Sequence, residues 1–166
     1  MTVRIGLLSD THNRATALHN ALETLRKQDI STIFHCGDVT TLETARLMLG
    51  FTVHYVFGNG DADSIDIQNM LTAANPESSG GLVYAGQIDG VRIAAAHGHI
   101  AGKVNALVAS GEYEYVFHGH THVQKDERIG RTRIINPGAL GGNRYDGRCL
   151  CILDLKTGQI EYPSID

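Results

Sequence analysis

The chain has 166 residues, 42% of them hydrophobic and 19% charged, with a net charge of -4 and a pI near 6.1. That length fits a single domain, residues 1–166, able to bury a core without staples, and the acidic balance excludes the basic footprint on which stable nucleic-acid binding depends. No apolar run reaches the ~18–20 residues of a membrane helix, so no membrane partner is expected.

The elements follow in chain order. Residues 3–8 are the first expected strand, and 15–27 place Leu18, Leu22 and Leu25 at helical spacing. Residues 32–34 read as a strand, 42–49 as a helix and 53–57 as a strand, which is the alternation of a largely parallel sheet. From Asn75 to Gly81 the composition is turn-forming and predicts a loop. Val83–Ile88 and Val91–Ala96 flank Asp89-Gly90, a strong hairpin signal. A helix is expected over 101–109 and a strand over Tyr115–Phe117. In the C-terminal third, 131–135 follow Ile129-Gly130, and 148–155 join 159–163 through Thr157-Gly158, which predicts a second, more antiparallel sheet. Three cysteines, Cys36, Cys149 and Cys151, form no CxxC pair, and no secretory leader precedes Val3, an arrangement expected of a cytoplasmic protein.

Polar residues able to bind metal recur just beyond the apolar runs. Asp10 and His12 follow the first strand, Asp38 the second and Asn59 the third; His97 follows Ala96, and His120 and His122 follow Phe117. Ligands of open α/β sheets sit at the carboxyl ends of the strands, so five segments would deliver these groups to one edge. Each segment after the first carries glycine (Gly37-Asp38, Gly58-Asn59-Gly60-Asp61, His97-Gly98-His99, Gly119-His120), which suits a sharp turn that holds a donor close to an ion.

In that order, Asp10-x-His12, Gly37-Asp38, Gly58-Asn59-x-Asp61, His97 and Gly119-His120-x-His122 resemble the calcineurin-like metallophosphoesterase superfamily. Asn136-Pro137-Gly138 and the small size make the chain similar to its compact prokaryotic phosphodiesterase branch. The resemblance implies an α/β fold of two packed mixed sheets flanked by helices, and two divalent metal ions. Asp10, His12, Asp38 and His122 would hold one ion; Asp38, Asn59, His97 and His120 would hold the other, with Asp38 bridging. Manganese is the expected ion on that likeness, while nitrogen and oxygen donors without sulfur also suit nickel, zinc, iron or cobalt.

Two divalent ions against the carboxylates of Asp10 and Asp38 leave a local excess of about two positive charges, which attracts phosphate. In-line attack by a metal-bridging hydroxide on a small-molecule phosphodiester is the expected chemistry. Asp38 and Asn59 are its expected catalytic residues, with His99 in contact with substrate or acting as proton donor. The family's usual histidine after Gly58-Asn59 is here Gly60, which cannot donate a proton and points to diesters with acidic leaving groups.

The alternatives are a phosphomonoesterase or nucleotide polyphosphate hydrolase, and a metal-binding interaction scaffold of the same fold; self-association is left open. Asp61 is expected either to act as a local loop partner or orient a ligand histidine, or to cap a helix, and His118 to support its turn. Asn13 and Arg14 read as a helix start, Arg144 as a phosphate clamp or a solvated cation, and Cys149 and Cys151 as buried small hydrophobes. His35 is expected inside the second strand, and His19 and His54 are exposed or structural.

Overall fold

The computed structural model of the chain describes residues 2–142 and 147–165. In β1 (Arg4–Leu8) the side chains alternate between two apolar cores: Ile5 and Leu7 enter one, and Leu8 enters the other. Gly6 lies under Leu25 of α1 (Ala15–Arg26), where a Cβ would meet the leucine methyls at 2.7 Å. The strand after β1 alternates likewise, because β2 (Thr32–His35) sends Ile33 to the helices and Phe34 to the opposite face.

Around this pair the first sheet takes the order β11-β10-β1-β2-β3-β4, with β3 at Thr52–Val56, β4 at Ser79–Gly81, β10 at Cys151–Asp154 and β11 at Ile160–Glu161. Its β1, β2, β3 and β4 run parallel, while β10 returns antiparallel to β1. The second sheet is β5 (Val83–Ile88), β6 (Val91–Ala96), β7 (Tyr115–Phe117), β9 (Thr132–Asn136) and β8 (Lys125–Ile129), in that order, and is also mixed. Leu18, Leu22 and Leu25 of α1, with Ile67 and Leu71 of α3 (Ser64–Ala74), cover the outer face of the first sheet. Phe34, Val56, Ile93, Phe117, Ile135 and Leu153 fill the space between the sheets. The short helices α2 (Leu42–Ala45) and α4 (Lys103–Ala109) complete the expected α/β arrangement of two packed mixed sheets flanked by helices.

Several elements differ from the sequence reading. The expected loop over 75–81 contains β4, whose Ser-Gly-Gly has no strand propensity of its own and is held by parallel pairing with β3. The helix α3 fills a stretch to which no element had been assigned, and the expected helix over 42–49 becomes α2 followed by a 3₁₀ turn at Arg46–Met48. The C-terminal hairpin β10-β11 extends the first sheet, because Cys151, Ile152, Leu153 and Asp154 register against β1. The second sheet is therefore less antiparallel than predicted. His54 is buried, bonded to Ser79 Oγ at 2.9 Å and packed on Phe34 and Tyr84. Arg144 lies outside the described residues.

Phe34 is fully buried and meets Phe117 and Tyr84 edge-on at 5.1 and 5.0 Å between ring centroids, so it pins one sheet to the other. Replacing it by alanine should lower unfolding free energy by about 3–5 kcal/mol, read as a reduced urea midpoint at unchanged m-value.

Candidate metal centre

Parallel pairing of β1, β2 and β3, and of β6 and β7, carries Asp10, Asp38, Asn59, His97 and His120 beyond successive strand ends. The chain turns abruptly there. Asp10, His12, Asp38, His120 and His122 have φ between 45° and 70°, a left-handed conformation that costs a non-glycine residue about 1–3 kcal/mol. They are five of the nine such residues among those described, so the backbone strain is concentrated where the donors meet. Gly119 permits the tightest approach, since a Cβ there would overlap the Ser9 hydroxyl and the Asp10 carboxylate.

The donor atoms converge. Asp10 Oδ1 lies 3.2 Å from His122 Nε2, 3.6 Å from His12 Nε2 and 3.9 Å from His97 Nε2. Asp38 Oδ2 is 3.2 Å from His97 Nε2 and 3.7 Å from His12 Nε2, so this carboxylate faces histidines on both sides of the site. Asn59 Oδ1 stands 3.1 Å from His97 Nε2. Asp10, His12 and His122 make one compact group, and Asp10, Asp38 and His97 a second. His120 brings its ring to 5.0 Å from His97 and donates its backbone N–H to Asp10 Oδ2, but stands outside both compact groups.

Whether these residues suit a cation is tested by Asp10 Oδ1, which is buried and has no hydrogen-bond partner. Leaving a buried carboxylate oxygen unsatisfied is costly. A divalent ion between that oxygen and the surrounding imidazole nitrogens satisfies all of them together, and a nitrogen and oxygen donor set suits transition ions. His97 is already oriented for such a role: its Nδ1–H donates to the Cys36 carbonyl at 2.6 Å, which turns Nε2 toward the carboxylates.

Three buried side chains hold the turns. Ser9 Oγ donates to Asp10 Oδ2 at 2.6 Å. Asp61 accepts three backbone N–H groups, from Asp38 and Gly58 through Oδ2 and from Thr40 through Oδ1, at 2.8 to 2.9 Å. It therefore fixes the loops that bear Asp38 and Asn59, where the sequence suggested a local loop partner, a histidine partner or a helix cap. Asn136 Nδ2 donates to the Gly119 carbonyl and to Thr121 Oγ1 at 3.0 Å each, clamping the turn of His120 and His122. The Asn136-Pro137-Gly138 tripeptide was the visible signal for this clamp. His118 supports the same turn through Nδ1 and the Gly119 carbonyl, as expected. His99 sits 5.5 Å from His97 and 6.5 Å from His120 between ring centroids, with Nδ1 buried and unpartnered. All three cysteines are buried, and burial pushes the Cys36 and Cys151 thiols up.

Without a cation, the carboxylates and imidazoles lean on one another. Burial raises the Asp38 carboxyl, but hydrogen bonds from His97 and from the Gly60 N–H outweigh it and bring the pKa down to about 2. Asp10 is likewise held low against burial, by His12 and Ser9. The Asp10 carboxylate raises His12; burial lowers His97, but Asp38 and Asp10 more than reverse it.

Residues 3–158 match the model of the calcineurin-like phosphoesterase superfamily domain. The chain is 28% identical over 165 residues to the phosphodiesterase MJ0936 of Methanocaldococcus jannaschii, covering 98% of each protein. It is also similar to the solved structure of an archaeal phosphodiesterase, with a TM-score of 0.90, 26% identity and coverage of 97% of this chain and 99% of that one. Vacuolar protein sorting 29 of Cryptosporidium parvum shares the fold at a TM-score of 0.69 and 20% identity, over 98% of this chain and 96% of that one. Among the described residues no helix is long and apolar enough to cross a membrane.

Two outcomes follow from this geometry. His12 and His97 have pKa values raised above 6.5, so their charged forms stabilise the metal-free fold below that value, and the contribution is lost as pH rises through the raised values. A metal ion must displace those protons; calorimetry should show manganese affinity rising from pH about 5.5 to about 8 with proton release, and a pH-independent affinity contradicts the ligand roles of these histidines. The change Asp61→Asn places an NH2 against backbone donors and should weaken metal binding by roughly 10–100-fold while far-UV circular dichroism stays unchanged.

Proposed function

We propose that this chain, which belongs to the calcineurin-like phosphoesterase superfamily, hydrolyses small-molecule phosphodiesters at a two-metal centre formed within a single domain, residues 1–166. Asp10, His12, Asp38 and His122 hold one ion in this reading, and Asp38, Asn59, His97 and His120 the other. The compact groups Asp10-His12-His122 and Asp10-Asp38-His97 support its core, and Asn59 Oδ1 stands beside His97. The observation that carries it is the buried, unpartnered Asp10 Oδ1 ringed by three imidazole nitrogens, with Asp38 Oδ2 facing both sides. Manganese is the first ion to test. Divalent ions held there supply Lewis acidity that acidifies water and neutralises the non-bridging oxygens of a phosphate.

The chain's own groups do the rest. Asp38 is kept ionised by its hydrogen bonds, so it can serve both ions across the pH range of a cytoplasmic enzyme. Asn59 offers a neutral amide oxygen, which adds no negative charge to repel phosphate. His99 lies 5.5 Å from His97 and 6.5 Å from His120 between ring centroids, and in this reading it contacts the departing alcohol. Gly60 donates its N–H to Asp38 Oδ1 at 2.7 Å, and a Cβ at that position would lie only 3.1 Å from the same oxygen. The space that a side chain would occupy beside Asp38 is thus left for the second ester arm of a diester.

With manganese-loaded protein, bis(p-nitrophenyl) phosphate should be hydrolysed faster than p-nitrophenyl phosphate. Asp38→Asn and His122→Ala should each lose more activity than the roughly 10–100-fold typical of groups outside the ligand set. Clearly faster cleavage of the monoester sinks the diester preference, and equal inactivity of wild type and variants on every ester favours an interaction scaffold.

A further inference from the structure

We infer that His35, which makes no contact with the proposed ions, is a positioning residue that locks the two strained turns bearing Asp10, His12 and Asp38 against each other. The inference rests on the two-metal reading above. His35 closes β2 and is completely buried on the helix side of the first sheet, beside Tyr55. Its ring makes two hydrogen bonds, each to a different turn. Gly37 N–H donates to Nδ1 at 3.3 Å, and Nε2 lies 2.8 Å from Thr11 Oγ1.

The first bond settles the second. A ring nitrogen that accepts carries no proton, so the hydrogen of the neutral imidazole is on Nε2 and is donated to the threonine hydroxyl. Burial also favours the uncharged ring by pushing its pKa down. A charged ring would lose the acceptor for Gly37 and place a cation behind the donors that must receive metal ions.

Thr11 lies between Asp10 and His12, and Gly37 directly precedes Asp38. Asp10, His12, Gly37 and Asp38 all have positive φ, so these turns persist only if their surroundings over-determine them. Backbone bonds supply part of that constraint, from Asp10 N to the Gly37 carbonyl and from His12 N to the Asp38 carbonyl, both at 2.9 Å. Those bonds fix the separation of the two turns. The imidazole supplies what they lack, a rigid side-chain wedge that fixes the tilt of Thr11 and with it the directions of its neighbours' side chains.

The test is manganese titration of metal-free protein, by calorimetry and by the electron paramagnetic resonance of free ion, on His35→Leu, His35→Gln, Thr11→Val and the double variant His35→Leu/Thr11→Val. His35→Leu should weaken binding by about 10–100-fold, the range for partners outside the ligand set. His35→Gln, whose amide nitrogen reaches the Nε2 position, should recover most of that loss. Thr11→Val should weaken binding in the same direction, and the double variant should be little worse than His35→Leu, because the two singles remove one shared bond. Unchanged affinity in His35→Leu, or strictly additive losses, overturns the role. If His35→Leu does not fold, Thr11→Val removes the same bond with the imidazole in place, and unchanged affinity there overturns it. A wild type that binds ions yet cleaves no ester defeats the phosphodiesterase reading and leaves this role standing. A wild type that binds no ion defeats both.

Discussion

Two buried carboxylates that face the same histidines dominate the chemistry of this molecule. Asp10 is fully buried and Asp38 nearly so, and both lie within 4 Å of more than one imidazole nitrogen. Ionised carboxylates at such a site need positive charge beside them, because desolvation alone would drive their protons back on. In the metal-free protein that charge comes from raised histidines, which a divalent ion replaces on binding. The same groups thus serve as the protein's own counter-charges and as the proposed ligands, and every surrounding feature acts to keep them close.

Closeness is obtained by strain and then held by buried hydrogen bonds. Left-handed turns at Asp10, His12, Asp38, His120 and His122 aim short side chains back over the strand ends, and glycine at position 119 lets one turn pass directly over Asp10. Ser9, Asp61 and Asn136 each satisfy backbone or side-chain atoms of a different turn, so no turn is free to relax alone. The sandwich contributes the frame. Phe34 and Phe117 fix one sheet on the other, and the residues that follow β2 and β7 are therefore fixed relative to each other.

The donors were legible in the sequence because they are chemically distinctive and follow apolar runs. Asp10, His12, Asp38, Asn59, His97, His120 and His122 could be assigned to strand ends before any coordinates, and the structure brings six of them within 4 Å of a neighbouring donor. His120 reaches the site through its backbone N–H and through ring contact with His97. What stayed illegible depends on long-range pairing. Ser79-Gly80-Gly81 reads as a turn until β3 is alongside it, and the uniformly exposed, charged Lys125–Ile129 carries no alternation to mark it as an edge strand. The membership of β10 in the first sheet follows from its register with β1, nearly 150 residues earlier in the chain. The local half of the Asp61 role, its bond to the Gly58 N–H, lies within reach of local spacing, whereas its bonds to the N–H groups of Asp38 and Thr40 in another loop do not.

Position 60 bears on the geometry of the Asp38 carboxylate and, in the proposed reading, on the choice of substrate. The Gly60 N–H is one of the hydrogen bonds that keep Asp38 ionised, and any residue except proline would supply it. A Cβ there would come within 3.1 Å of Asp38 Oδ1, tighter than an ordinary van der Waals contact. Glycine keeps the hydrogen bond and omits the crowding side chain, so the carboxylate retains its low pKa. Glycine also offers a leaving group no side-chain proton donor. In the proposed reading, the esters served best are those whose alcohols depart without help from position 60 and whose second arm lies beside Asp38. A monoester of a poor leaving group would meet neither condition.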